Sequence, residues 1–300
     1  MKRIEELIKG FLIGLVNIIP GFSTGAMALI LGVYDKCINA FSKLIKNPKE
    51  TFKEIWALFV GLIIGIFTSV YLIATLLETI PLITTLFFVG LIIGSIPKQT
   101  KKCQGKQVKP KYLISLVVSV VLLVIIPLIN TAQVNLENSR YTAWTVVSLF
   151  LVGIVGTGIM VIGGSGTIIL MALGYYEVTV VLAKNIIYYS LNGLGMDALY
   201  SFLQLLPYIV GVLLGASLFS NFMKKLMDAE SMTINYVILG LLTAAPVVVI
   251  IKMIQTYAGI INSGVYIWIY SIISLLIGFA ITFFINRYQD KKGLKENIDG

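Results

Sequence analysis

Two runs of glycine and hydroxyl-bearing residues, Pro20-Gly21-Phe22-Ser23-Thr24-Gly25 and Gly163-Gly164-Ser165-Gly166-Thr167, each interrupt a long apolar segment. Glycine and proline permit a chain reversal that leaves backbone amides without helical partners. Ser23, Thr24, Ser165 and Thr167 add hydroxyl donors beside them. A helix that restarts after such a break presents its first amides and about half a positive charge. Two such ends aimed at one point would hold an anion without any Lys or Arg. The candidate substrate-binding residues are therefore Gly21, Phe22, Ser23, Thr24, Gly25, Gly163, Gly164, Ser165, Gly166 and Thr167. Asp35 and Glu177 each follow a Gly-x-Tyr triplet at the end of these segments. They read first as interfacial carboxylates anchoring helix ends, and second as gating or proton-coupling groups.

Other chemistry is scarce. The chain has no histidine, which removes imidazole bases, histidine metal ligands and histidine proton relays. Cys37 and Cys103 lie in Lys-rich connections and are expected as free cytoplasmic thiols rather than a disulfide. No metal or cofactor site emerges from the residues. A formal charge of +9 could suggest nucleic acid, but the lysines fall in short runs between apolar segments without interleaved aromatics. No cleavable leader is evident ahead of the first apolar stretch, so the N-terminus is expected to be retained.

The elements that must position the two runs are membrane helices. The 300 residues are 58% hydrophobic and 12% charged, with a mean hydropathy of +0.94, far from the roughly 25% charged expected of a soluble domain. A hydrocarbon core of about 30 Å takes roughly 20 helical residues. Apolar segments approaching or reaching that length cover 55–77, 82–96 and 112–129 in the first half, and 205–222, 234–251 and 265–285 in the second. The interrupted segments are 11–34 and 144–176. Tyr112, Trp144, Tyr257, Tyr266, Trp268 and Tyr288 read as interfacial belt residues.

If each interrupted segment crossed the membrane once, the lysines of 35–54 and 97–111 would face outward, against the positive-inside rule. If each is a re-entrant hairpin, every one of the 23 Lys and Arg except Arg140, Lys184 and Lys252 falls on the cytoplasmic side, with both termini. Three full spans per half then invert the second half relative to the first, an architecture of many secondary transporters. The expected fold is an all-α integral membrane protein of two inverted repeats, 1–133 and 134–300, each a re-entrant hairpin followed by three transmembrane helices.

Self-comparison agrees. At an offset of 142, Gly14, Gly21, Ser23, Leu31, Gly32 and Tyr34 match Gly156, Gly163, Ser165, Leu173, Gly174 and Tyr176. At an offset of 150, Gly61, Gly65 and Gly90 match Gly211, Gly215 and Gly240. The change of offset predicts an insertion on the outer face near 178–204. The Gly61/Gly65 and Gly211/Gly215 pairs have the spacing of close helix packing and are assigned no ligand. Glu78 reads as a solvated loop acid, and Asn17, Asn185 and Asn192 as hydrogen-bonding groups whose partners the sequence leaves open.

The run from Pro20 to Asp35, PGFSTGAMALILGVYD, resembles the PGxSGGTxALxxGxYE signature of the DUF368 membrane family, and the segment from Gly163 to Glu177 resembles its second motif, PGxSGS…LGxYE. The resemblance implies a polyprenyl-phosphate translocase of the cytoplasmic membrane, a flippase that returns undecaprenyl phosphate to the cytoplasmic leaflet for reuse in envelope polymer synthesis. Thr24, Ala26 and Ile162 depart from the motifs, so the resemblance carries over no individual side-chain role, while the backbone amides at Gly21, Ser23, Gly25, Gly164, Ser165 and Gly166 can still serve as donors. The substrate's phosphate carries about −1.5 to −2 charges at neutral pH, which makes proton or sodium coupling an expectation. The competing readings are a transporter of small anions and a polyprenyl-diphosphate phosphatase. The phosphatases share the opening of the first motif but follow it with an arginine, where this chain has Thr24, and Arg3, Arg140 and Arg287 all lie outside the expected spans.

Overall fold

In the computed structural model the described residues are 2–22, 24–34, 36–37, 40, 48–104, 108–129, 143–161, 166–229, 231–257 and 264–296. Among them the regular structure is helical, without strands. The helices are α1 (Lys2–Asn17), α2 (Thr24–Ile30), α3 (Pro48–Thr79), α4 (Pro81–Cys103), α5 (Pro110–Ile129) and α6 (Ala143–Val161). They continue with α7 (Gly166–Leu173), α8 (Tyr176–Leu191), α9 (Gly195–Ala229), α10 (Ser231–Thr256) and α11 (Val265–Glu296). Pro48, Pro81 and Pro110 each open a helix, where the missing N–H leaves nothing unpaired.

Among the described residues six helices are long and apolar enough to cross a membrane: Lys49–Thr79, Pro81–Cys103, Ala143–Met160, Gly195–Ala216, Met232–Thr256 and Val265–Gln289. Helical form follows because a chain in lipid must pair its own backbone groups. Of the six, α4 is the most enclosed and α11 the least. Two sequence expectations are sharpened here. The helix expected over 82–96 runs on to Cys103, because Pro97 sits inside α4 without ending it. Ala143–Met160, expected only as a hairpin arm, is long enough to cross alone. The residues around 178–204 form α8 and the start of α9.

Helix pairing follows a double pattern. Helix α1 packs on α3 as α6 packs on α9, and α4 packs on α11 as α10 packs on α5, with α4 and α10 also in contact. Glycines set these approaches. A Cβ at Gly61 or Gly65 would run into the backbone of α1 at Leu7 or Phe11, and one at Gly211 or Gly215 into α6 at Phe150 or Ile154. The packing role expected for these pairs is what the structure shows. Gly61→Ala and Gly211→Ala are each expected to cost about 1–3 kcal/mol by overpacking, read as a lower thermal midpoint of the purified protein. Gly195→Ala, which meets nothing within 4 Å, is the matched control.

The two motif ends share local structure. Gly32 and Gly174 adopt left-handed φ of 66° and 81°. Gly32 N–H donates to the Leu29 carbonyl at 3.1 Å and Val33 N–H to that of Ala28 at 3.0 Å, while Gly174 donates to Met171 at 3.1 Å and Tyr175 to Leu170 at 2.8 Å. These are twin glycine-terminated helix caps of the Schellman type, at the offset of 142. Cys37 and Cys103 are free thiols, as expected.

The main core joins both halves. It combines the end of α3, the apolar face of α4, the middle of α7 from Ile168 to Ala172, the start of α8 and the inner face of α10. The short helix after the second break is thus enclosed on all sides, whereas Leu29 in the short helix after the first break is exposed.

Candidate functional site

The first break spans the end of α1 and the start of α2. Ile19 N–H donates to the Val16 carbonyl and Phe22 N–H to that of Ile19, while Gly21 takes a φ of 86°. Pro20 is fully buried. The Thr24 hydroxyl donates to Asn17 Oδ1 at 2.9 Å, tying the first residue of α2 to the last of α1. That bond supplies the partner which sequence alone left open for Asn17. Gly21 lies against α4: a Cβ there would meet Leu91 C at 2.9 Å and Ile92 N at 3.0 Å.

A residue of the second half closes the first break. The Tyr176 hydroxyl donates to the Ile18 carbonyl at 2.9 Å, and its ring packs edge-on to Phe88 with centroids 5.7 Å apart. Burial of Tyr176 makes this the available partner for a carbonyl that the break removes from the α1 ladder. Tyr176→Phe leaves that carbonyl unsatisfied and is expected to cost about 1–3 kcal/mol, measured as a lower thermal midpoint with the overall fold retained.

The second break includes Gly163, Gly164 and Ser165, which lie outside the described residues, as do Ser23 and Asp35. Gly166 opens α7 and crosses α6 closely, since a Cβ there would lie 2.6 Å from the Gly156 carbonyl oxygen. Thr167 follows it, half-buried, and Gly25 lies in the first turn of α2. After the cap at Gly174 the chain bends by 106° into α8. There Glu177 accepts a hydrogen bond of 2.7 Å from the Tyr257 hydroxyl. Glu78, read from sequence as a solvated loop acid, is exposed as expected but lies in the last turn of α3, where it accepts a 2.5 Å bond from Lys184 that ties α3 to α8. Lys184 also stands 5.5 Å from the Tyr71 ring centroid.

A cavity of about 120 Å³ brings parts of both motif regions together. Gly21 and Phe22 of the first break line it, with Ile159 of α6 and Ile168 and Ile169 of α7. Ile238, Leu241 and Leu242 of α10 complete an apolar wall. The polar wall is Ser95, Lys98, Gln99 and Lys102 of α4 with Asn286 of α11. Gln99 is buried and donates to the Asn235 carbonyl at 3.0 Å, fixing α4 to α10. Asn286 Nδ2 donates to the Gly94 carbonyl at 3.4 Å. Lys98 donates to Gln289 Oε1, and Lys102 is exposed.

The sequence reading placed no Lys or Arg beside the two breaks, whereas Lys98 and Lys102 share the cavity with Gly21 and Phe22 of the first break. They were missed because the span was ended at Ile96, which left the lysines in a loop. Extended to Cys103, α4 places Lys98 and Lys102 at i,i+4 on one face. Lysines in a last helical turn are also favoured by the helix dipole alone. Both lysines also line the cavity with Gly21 and Phe22. At the offset of 150 the counterpart of Lys98 is Val248 and that of Gln99 is Val249, both buried in the core, while Lys102 is matched by Lys252.

A family model described as VCA0040-like, undecaprenyl phosphate translocase-like, matches residues 13–204, a stretch that contains both breaks. A Vibrio cholerae protein named polyprenyl-phosphate transporter is 27% identical over 193 residues, covering 59% of this chain and 59% of that protein's length. A Staphylococcus aureus protein of the same name is 23% identical over 288 residues, covering 94% of this chain and 95% of that protein. No solved structure matches.

Proposed function

The chain belongs to the undecaprenyl phosphate translocase-like family, and on that premise we propose that it carries polyprenyl phosphate, undecaprenyl phosphate in particular, from the outer to the cytoplasmic leaflet of the cytoplasmic membrane. The observation that carries this reading is the cavity where the first tip and the short helix of the second break face a wall of two lysines. Its apolar side, built from isoleucines and leucines, suits a prenyl chain beside the head. Its polar side suits a phosphate, because ammonium and amide donors favour an anionic oxygen. Gly21, Phe22, Ser23, Thr24, Gly25, Gly163, Gly164, Ser165, Gly166 and Thr167 form the two tips that receive it.

The architecture we propose is two inverted repeats, 1–133 and 134–300, each led by a re-entrant hairpin. Support comes from the twin caps at Gly32 and Gly174 and from the doubled helix pairing. The lysine distribution supports a cytoplasmic side for both termini, Lys98 and Lys102. The polar wall then lies at the cytoplasmic end, which favours release of an anion inward. At the outer end, Glu78 with Lys184 and Glu177 with Tyr257 join α8 to α3 and to the end of α10. Rocking of one repeat against the other opens the outer side by separating these bonds. Glu177 and Asp35 are the carboxylates available for gating or for proton coupling, with sodium as the alternative ion.

Transport here proceeds without bond cleavage. Phosphoryl transfer depends on stabilising charge on the transferring group, and among the described residues the cavity is lined by no arginine and no carboxylate. The test is uptake of labelled short-chain polyprenyl phosphate in proteoliposomes of the full chain. Translocation above empty vesicles is expected. Its absence, or release of inorganic phosphate from a lipid diphosphate, overturns the reading. Uptake of inorganic phosphate at a rate equal to that of the lipid would replace it with a small-anion transporter, and a rate indifferent to a pH gradient and to sodium would remove the coupling.

A further inference from the structure

Behind the first tip, a pocket of about 10 Å³ adjoins the main cavity and shares Gly21, Phe22 and Asn286 with it. Thr282 and Gln289 of α11 line the pocket. With Asn286 they sit at i, i+4 and i+7, one stripe of a helix facing α4. Two polar atoms in it have no hydrogen-bond partner among the described residues: Thr282 Oγ1, on a side chain 2% exposed, and Gln289 Nε2. Buried donors left unmade are costly and call for an explanation. Ser271 Oγ on the same helix is also unpartnered, but it lines neither cavity and is assigned no ligand.

The chemistry of the missing partner can be read from the donors. Lys98 donates to Gln289 Oε1, and this fixes the amide orientation, because the flipped amide would set two donors against each other. Gln289 Nε2 can only donate, so its partner must accept. A cation is disfavoured beside the Lys98 ammonium. A single water would fit a space of this size, but the pocket shares Gly21, Phe22 and Asn286 with the cavity, and its polar groups are a hydroxyl and two amides, one of them bonded to the Lys98 ammonium.

We infer that Thr282, Gln289 and Lys98, with Asn286 at the rim, form a subsite for one oxygen of a phosphate monoester whose phosphorus lies in the main cavity. The inference rests on the transport reading for its lipid source and on geometry alone for its oxyanion chemistry. It gives the first tip a partner, since Gly21 and Phe22 line both the main cavity and the pocket behind it.

The test is ligand-induced thermal shift and affinity, measured on the full-length purified protein with short-chain prenyl phosphate, inorganic phosphate and prenyl alcohol. Thr282→Val and Gln289→Glu are each expected to weaken phosphate-bearing ligands about tenfold or more. Gln289→Glu keeps the acceptor for Lys98 while removing the donor, so it separates the subsite from the Lys98 contact. Thr282→Val is also expected to leave the unliganded midpoint unchanged or raised, since it removes an unmet donor. Prenyl alcohol binding is expected to be indifferent to both. Wild-type affinity in both variants shows a pocket for water only and overturns the inference, as does a lowered unliganded midpoint with unchanged affinity. If inorganic phosphate binds through these residues and prenyl phosphate does not, the subsite stands and the lipid reading falls. If neither binds the wild type, both fall.

Discussion

Replacing Lys98 and Lys102 together by glutamate is expected to reduce polyprenyl-phosphate uptake in proteoliposomes by at least about 100-fold, while the double replacement by arginine keeps it within a few-fold. Both lysines line the cavity from one face of α4. Two unit charges about 4 Å apart interact by about 4 kcal/mol at an effective dielectric constant near 20, and by about 1 kcal/mol in water. Lys102 is exposed, so its share lies near the lower figure, and Lys98 is half-buried and lies above it. Reversing both signs turns two attractions into two repulsions, which places a loss of about 3 kcal/mol within reach even after solvent screening.

Salt separates the two contributions. The screening length is about 8–10 Å at physiological ionic strength, so the effect of Lys102→Glu alone is expected to shrink as salt rises, and that of Lys98→Glu to persist. Lys102→Glu, in the last turn of α4, also opposes the helix dipole, a stability cost of about 0.3–1 kcal/mol. The thermal midpoint therefore has to be measured beside uptake. A large fall in midpoint with uptake per folded molecule unchanged would assign the lysines to helix termination alone, and equal uptake in the glutamate and arginine variants would remove them from the anion path.

Much of the frame was legible because its signals are local. Apolar runs of span length announce themselves, and the helices lie over each of the expected spans. The glycine pairs on α3 and α9 read as packing surfaces from spacing, and their close approaches to α1 and α6 agree. Gly32 and Gly174 could be matched by offset, and their left-handed caps follow from the residue type. What was not legible depends on where helices end and what they touch. Pro97 inside α4 hid the register of Lys98, Gln99 and Lys102, because a proline after an apolar run usually marks a boundary. Asn286 and Gln289 were invisible for a different reason: they lie at the end of α11, some 190 residues from the α4 groups they meet. No local pattern encodes that encounter. Tyr176 was noted only as a repeat match, yet its hydroxyl reaches the first break across the two halves.

Gly21→Ala is expected to lower uptake by about 100-fold, and the comparison with Gly32→Ala separates its causes. Both glycines have left-handed φ, 86° and 66°, so an alanine at either is strained by about 1–2 kcal/mol. Their surroundings differ. A Cβ at Gly32 meets nothing within 4 Å, whereas one at Gly21 meets Leu91 C at 2.9 Å and Ile92 N at 3.0 Å, both backbone atoms of the most enclosed helix. The α4 backbone cannot yield as a side-chain tip would, so the displacement falls on the break itself. That moves Gly21 and Phe22, which line both the cavity and the pocket behind it. A shift of order 1 Å in a positioning group is enough for a loss of about 100-fold. Gly32→Ala is expected to lower the thermal midpoint by a similar or smaller amount while uptake stays within a few-fold. Equal losses of uptake in the two variants would trace the defect to backbone strain and general stability. A loss confined to Gly21→Ala would locate it in the contact between the first break and α4, where Gly21 and the lysine-bearing helix line the same cavity.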